Sequence, residues 1–392
     1  MDRENIADLV HQLNDVELAV LLSLVTRKHC ILTTEPGCLE LLRQQLELLG
    51  PAVFGLTVAV VRCTPDTTLD DFIEPLLLDE TRPSPTSHGI SPVNSHESGE
   101  SYLGARNRSS LLRTSSQGAR DESTSCSRKL ANIIIALDLD VASDQIQTQA
   151  LELIRTKRFC TRNKNFHYAP DRFLLIALLR RPNGESSLSS HLCDYFFISH
   201  HHPAHEGFPE EVELEVESEQ SDVDSLASVI RKVSTTPPPF GGSRFPQVRK
   251  NILVPKDIVD TIKSMADDVT VGIEIRRYMF DLTVFLRMHR AVAGGISARA
   301  TKDFEELVRQ VSTSTYVLLC LAPLHSLDFV TPSLASLGVY KVYSHRIELV
   351  EHADGERSIL WGSRPSAIAK YLRHVDVQGV LDEVVTGVKV PL

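Results

Sequence analysis

The chain has 392 residues, enough for one large or two modest domains, and its 42% hydrophobic content is that of an ordinary soluble globular protein. A formal charge of −10 at pH 7 argues against a nucleic-acid or anionic-membrane partner, since either requires a basic face that displaces counterions. Seven cysteines without a C-x-x-C pair speak against a disulfide framework, and no leader-like segment or apolar run near the ~20 residues of a bilayer span is present, so the expected setting is the cytoplasm, with the nucleus as the alternative.

From Ile6 to Val25, apolar residues recur at helical spacing through Leu9, Leu13, Val16, Val20 and Leu24, which predicts one or two short helices. His29 to Leu42 then reads as a short apolar strand, a Pro36-Gly37 turn and a leucine-rich helix. This is the strand, loop and helix order of a phosphate-binding loop, in which backbone N–H groups cradle phosphates and a lysine neutralises them. On the pattern G-x-x-x-x-G-K-[ST], however, the first glycine is Thr34, the second Leu39, the lysine Glu40 and the hydroxyl residue Leu41. Gly37 alone keeps the look of the motif. A glutamate at the lysine position sets like charge beside a triphosphate, and losing the hydroxyl removes a magnesium contact. Weak or no ATP binding in the usual mode is expected.

A strand is predicted at Leu56–Val61. Residues 80–127 are rich in Ser, Gly, Arg and Pro, a composition with too little apolar surface to offset the entropy of ordering, so a disordered insertion is expected. Asn132 to Leu139 is a buried-strand run ending in Asp138 and Asp140, followed by a helix from Asp144. Acids at a strand end can hold a magnesium ion and its water. Here Leu137 and Asp138 occupy those two positions, and Asp138 or Asp140 serves only by a shifted register. Arg172 to Leu179 is apolar throughout, as a parallel strand covered on both faces should be, and Arg180 ends it. His200, His201, His202 and His205 form the one metal-like cluster. Adjacent side chains diverge and no cysteine or carboxylate completes a tetrahedral set, so a solvated loop is expected, with His200, His202 and His205 as weak metal candidates. The acidic, proline-broken stretch 213–248 reads as a hinge.

Beyond it, Ile275, Tyr278, Met279, Leu282, Phe285 and Leu286 mark the apolar stripe of an amphipathic helix. Gly294-Gly295 is expected to end that helix, and Ser297 to cap the next. Arg299 falls in the new helix's first turn, where a cation opposes the dipole and needs another contact to favour it. Phe304, Leu307 and Val308 set a stripe that the β-branched run 310–319 interrupts, read as a local bulge or a gene-model artefact. The residues from Ala367 to Val385 are helical in pattern.

Three segments, Gly295-Ile296-Ser297-Ala298-Arg299-Ala300, Leu327 to Pro332 and Val342 to Ile347, resemble the helical lid of AAA+ ATPases of the MoxR and magnesium-chelatase type. Arg62 to Asp71 resembles the Thr-Pro-Asp segment after that family's second core strand. The resemblance implies an AAA+ fold: a parallel-sheet α/β core over 1–79 and 128–212, a Ser-rich insertion over 80–127, a linker over 213–248, an all-α lid over 249–349 and a helical tail over 350–392. It makes Arg299 the sensor-2 residue that reaches nucleotide phosphates and puts Arg180 at the sensor-1 position, where an asparagine is usual. Tyr195 stands where the family carries an arginine that acts on a neighbouring subunit's nucleotide. Two functions follow. One is a degenerate module, without a confident cofactor, that works by contact with itself or other AAA+ subunits in a ring. The other is a magnesium-chelatase ATPase subunit using ATP and Mg2+ to insert Mg2+ into protoporphyrin, with Gly37 in the cradle and Asp138 as the metal-side acid.

Overall fold

A computed structural model describes Leu9 and residues 12–78, 129–160, 166–180, 188–203, 254–319 and 330–391. The segments 80–127 and 213–248 read above as insertion and linker lie outside these, as does His205.

Helix α1, Asp15–Thr26, starts on a reciprocal cap in which Asn14 Oδ1 accepts from the Glu17 N–H at 2.7 Å and Glu17 returns the bond to Asn14 at 2.8 Å. The chain then builds β1 (His29–Thr34), α2 (Leu39–Val53), β2 (Val58–Arg62), β3 (Ile133–Leu137), α3 (Asp144–Thr156), β4 (Leu174–Arg180) and β5 (Phe196–His202). These five strands pair in parallel in the order β2-β3-β4-β1-β5. Every residue of β1 and β3 is buried, and all of β4 except Arg180. Helices on both faces are the cause, and they explain why these strands read as continuous apolar runs and not as alternations.

Two apolar layers flank the sheet. One joins α1 and α2 to the C-terminal helices through residues such as Val20, Leu42, Ile176 and Val339. The other packs α3 and its neighbours through Ile31, Ile134, Ile146 and Leu179. The strand order also fixes where a ligand would sit. The chain leaves β1 toward the β2 edge and returns by way of β3 to β4, after which it passes to β5 on the far side of β1. Connections from β1 and β4 thus run in opposite directions, and in open α/β sheets the crevice at such a reversal, outside the strands' carboxyl ends, is the binding place.

The C-terminal part consists of α4 (Lys256–Asp268), α5 (Ile273–Met288), β6 (Val292–Gly294), α6 (Ala298–Leu319), α7 (Pro332–Tyr343), β7 (Glu348–Leu349), α8 (Pro365–Leu372) and α9 (Val377–Gly387). Helix α9 buries Val380, Leu381 and Val384 in the same layer as α5 and α7. Its outer side ties back through Asp382 to the Tyr340 hydroxyl at 2.8 Å.

Four expectations change. Helix α5 stops at Met288, with His289 as its C-cap, before the glycine pair. Gly294 instead lies in β6, which pairs antiparallel with β7, and Gly295 has φ +91° with the Arg346 carbonyl oxygen only 1.6 Å from where a Cβ would be. Glycine is there for close backbone approach in a left-handed conformation, not as a helix stop. The run 310–319 forms no bulge, because α6 continues through it to Leu319. His200 to His202 belong to the buried strand β5 and not to a solvated loop. Phe285, placed in the core stripe by its spacing, is exposed.

Candidate functional site

At the reversal point the loop after β1 is short. Pro36–Cys38 makes a single 3-10 turn, and α2 begins at Leu39 with Cys38 as an N-cap that offers no side-chain bond. A Cβ on Gly37 would meet nothing within 4 Å, so no backbone approach demands glycine at this position. One turn into α2, the carboxylate of Glu40 accepts from Arg43 at 2.7 Å and from Arg62, the last residue of β2, at 2.9 Å. The position of the phosphate-binding lysine is therefore held by an acid that two arginines already satisfy.

Asp138 and Arg180 meet each other. Asp138 follows β3 with φ 54°, a left-handed conformation that aspartate tolerates better than most residues. Its N–H donates to the Leu178 carbonyl at 2.9 Å, which locks the turn to β4. The buried carboxylate takes both branches of the Arg180 guanidinium, Nε at 2.7 Å and the second nitrogen in a short bond. Such a two-pronged pair is the strongest geometry available to these groups. That hydrogen bond is the main cause raising the Arg180 pKa further above its ordinary value. Nearby, burial pushes the Cys63 thiol up to about 12, helped by the charges of Asp138 and Asp140.

Arg299 does not join this group. Ser297 caps α6 as expected, its hydroxyl accepting from the Ala300 N–H at 3.0 Å while donating to the Asp194 carboxylate. The Arg299 guanidinium lies over the Tyr195 ring, 3.5 Å from its centroid, with Asp194 at 3.9 Å. These contacts supply the attraction that offsets the helix dipole. Tyr195 precedes β5, whose first residue Phe196 is level with His29 at the start of β1. Five residue steps separate that level from Thr34, about 17 Å at strand rise, so Arg299 sits toward the amino edge of the sheet.

The histidines divide between the two faces of β5. His201 Nδ1 is 3.1 Å from the Thr33 hydroxyl, while His200 Nδ1 accepts from Lys341 of α7 at 2.9 Å. Burial, then the Lys341 charge, pushes the His200 pKa down to about 3. A neighbouring ammonium is the reverse of what a metal ligand needs. Among the described residues no group of three His, Cys, Asp or Glu side chains is placed to hold a metal ion.

The magnesium–nucleotide complex implied by the family resemblance does not fit these residues. The lysine position carries a paired acid, the loop has no glycine-dependent cradle, and the metal-side carboxylate is engaged by a guanidinium. Arg62 and Lys341, the partners that settle Glu40 and His200, have no motif to mark them. Only the position of Arg62 at a strand's carboxyl end was a signal.

Comparison with solved structures finds similarity to the crystal structure of a Cytophaga hutchinsonii protein provisionally described as an ATPase, with a TM-score of 0.51, 16% identity and 95% of each chain covered. The chain thus has an ATPase-like fold. Among curated proteins it is similar to maintenance of telomere capping protein 2 of Saccharomyces cerevisiae, 30% identical over 122 residues, or 30% of this chain and 31% of that one. The Kluyveromyces lactis protein of the same name is 25% identical over 118 residues, 29% of this chain and 39% of its own length. The matched stretch thus spans well under half of these relatives. No family model matches the chain.

Proposed function

We propose that the chain is a catalytically degenerate AAA+ module of the MoxR and magnesium-chelatase type, whose activity is protein–protein contact. The observation that carries this reading is the Asp138–Arg180 pair at the carboxyl ends of β3 and β4. A metal ion would have to displace the guanidinium, and breaking a buried pair on one side costs about 3–5 kcal/mol before any ligand is bound. Its partners are further copies of itself or other AAA+ subunits, arranged as a ring. The similarity to proteins named for the maintenance of telomere capping supports a holding role, and the net charge of −10 assigns that contact to protein and not to nucleic acid.

The alternative, an ATPase subunit of magnesium chelatase, needs Gly37, Asp138 and Arg299 to converge on one nucleotide. Arg299 stacked on Tyr195 weighs against it. Titration of a fluorescent ATP analogue in Mg2+ separates the two readings. The wild type is expected to show no saturable binding in the micromolar range, and Glu40→Lys to gain affinity. Micromolar binding by the wild type rejects the proposal.

A further inference from the structure

Helix α5 is apolar on two sides. Tyr278, Met279, Leu282 and Leu286 face the core, while Phe280, Phe285 and Met288 are exposed. The turn Arg357–Trp361 lies beside the end of this outer face, because the Arg357 guanidinium reaches the Met288 sulfur at 4.0 Å. Leu360 and Trp361 on that turn are 84% and 88% exposed, and Trp361 is the chain's one tryptophan. Contiguous apolar surface of this kind marks a contact site, whereas scattered exposed residues do not. Its rim is basic in an acidic protein. Arg276, Arg277, Arg357 and Arg364 are all exposed, and none of them forms an ion pair among the described residues.

The chain carries a segment of complementary chemistry. Residues 206–224 contain nine acids and no lysine or arginine. At their centre runs Glu211-Val212-Glu213-Leu214-Glu215-Val216-Glu217, a strict alternation of acidic and apolar residues. In an extended conformation such a sequence places Val212, Leu214 and Val216 on one side and the glutamates on the other. The apolar side suits the aromatic face, and the glutamates suit long arginines rising around it. Residues 204–253 connect Pro203 to Val254, and the eight steps from Pro203 to Glu211 extend about 27 Å at most. We infer that the outer face of α5 and the Trp361 turn form a docking surface for the chain's own acidic segment 211–217.

Fluorescence of Trp361 in the full-length protein tests this. If the segment covers the surface, the wild type shows blue-shifted emission and weak acrylamide quenching. Deleting residues 210–219 should then red-shift the emission and raise quenching, and a synthetic 206–224 peptide added in trans should reverse both. Replacing Glu211, Glu213, Glu215 and Glu217 together by lysine, with chain length kept, should have the same effect as the deletion. A compensating Arg276→Glu, Arg277→Glu pair should restore shielding to that variant. Far-UV circular dichroism and the melting temperature show whether each variant is folded. Equal accessibility of Trp361 in the wild type and the deletion overturns the inference. So does shielding that survives the deletion, whether it falls on dilution, as a second copy would give, or does not.

Discussion

Charged groups meet in two parts of this molecule, and they meet differently. At the carboxyl ends of β1 to β4, Glu40 joins Arg43 and Arg62, and Asp138 joins Arg180, whose side chain is 48% exposed. Where the C-terminal helices meet β5, Arg346 and Asp303 pair at 2.5 Å with side-chain exposures of only 1% and 5%. Lys28 reaches the same Asp303 at 2.7 Å and also Glu306, and Arg346 donates to the Phe196 carbonyl. Exposed pairs contribute little to stability, whereas half of a broken buried pair is costly. The first region has exchanged the charges of a nucleotide site for internal partners at small energetic consequence. The second uses charge to hold the helices to the sheet, and a lid moved by nucleotide would have to break that network.

The largest expected effect lies in the second region and comes from acid. His29, His200 and His345 are buried, and burial, aided by Lys157, Lys341 and Arg346 respectively, holds each pKa down at about 3. Each has a fixed role: His29 Nδ1 accepts from the Leu175 N–H at 2.9 Å, and His345 Nε2 contacts the Phe196 carbonyl at 3.0 Å. Below the unfolded pKa near 6.5 the unfolded chain takes up protons that the folded chain refuses. Stability is therefore intact above that pH and falls as pH drops toward 3, by about 1.4 kcal/mol per pH unit for each histidine, or about 4 for the three together. Urea titrations between pH 7 and 5 should show a steep loss, with contacts around β5 released first. A flat profile would mean that these side chains are solvated and that the seam between helices and sheet is looser than described.

Replacing glycine sharpens the contrast next. Gly295→Ala sets a Cβ against the Arg346 carbonyl at 1.6 Å in a left-handed backbone, combining strain with overpacking for a loss of about 2–4 kcal/mol. Gly37→Ala adds a Cβ to open space and should leave the denaturation midpoint nearly unchanged. Equal effects at the two sites would erase the difference between a packed seam and a vacant cradle.

The same pair shows what a sequence can and cannot disclose. Strands such as Ile133–Leu137 were legible because burial on both faces leaves a plain apolar run, and the loss of the phosphate-binding lysine was legible at Glu40 because a motif gives that position a meaning. Gly295 looked like a helix stop because its reason, the Arg346 carbonyl, lies fifty residues away. His200 and His202 looked like loop residues since polarity hid a strand whose partner, α7, is remote in sequence. The tie between Asp138 and Arg180 was invisible for a similar reason. Each residue was a separate candidate by motif position, and only the neighbouring of β3 and β4 makes them one unit.

The smallest stability change should come from that unit, yet it is the most direct probe of the exchanged site. Arg180→Gln keeps a polar side chain and removes the charge, leaving the Asp138 carboxylate buried with its backbone turn still tied to Leu178. Because Arg180 is half exposed, water reaches its side of the pair, and the expected loss is about 1–2 kcal/mol, below the fully buried case. If the guanidinium stands where a cation would otherwise be attracted, the variant should regain part of that loss in millimolar Mg2+ or Mn2+, seen as a metal-dependent rise in melting temperature. The wild type should show no such rise, since its carboxylate is already neutralised. A rise in the wild type would put a metal where the arginine is. No rise in either would reduce the pair to a structural staple, and the case for a relinquished nucleotide site would then rest on Glu40 alone.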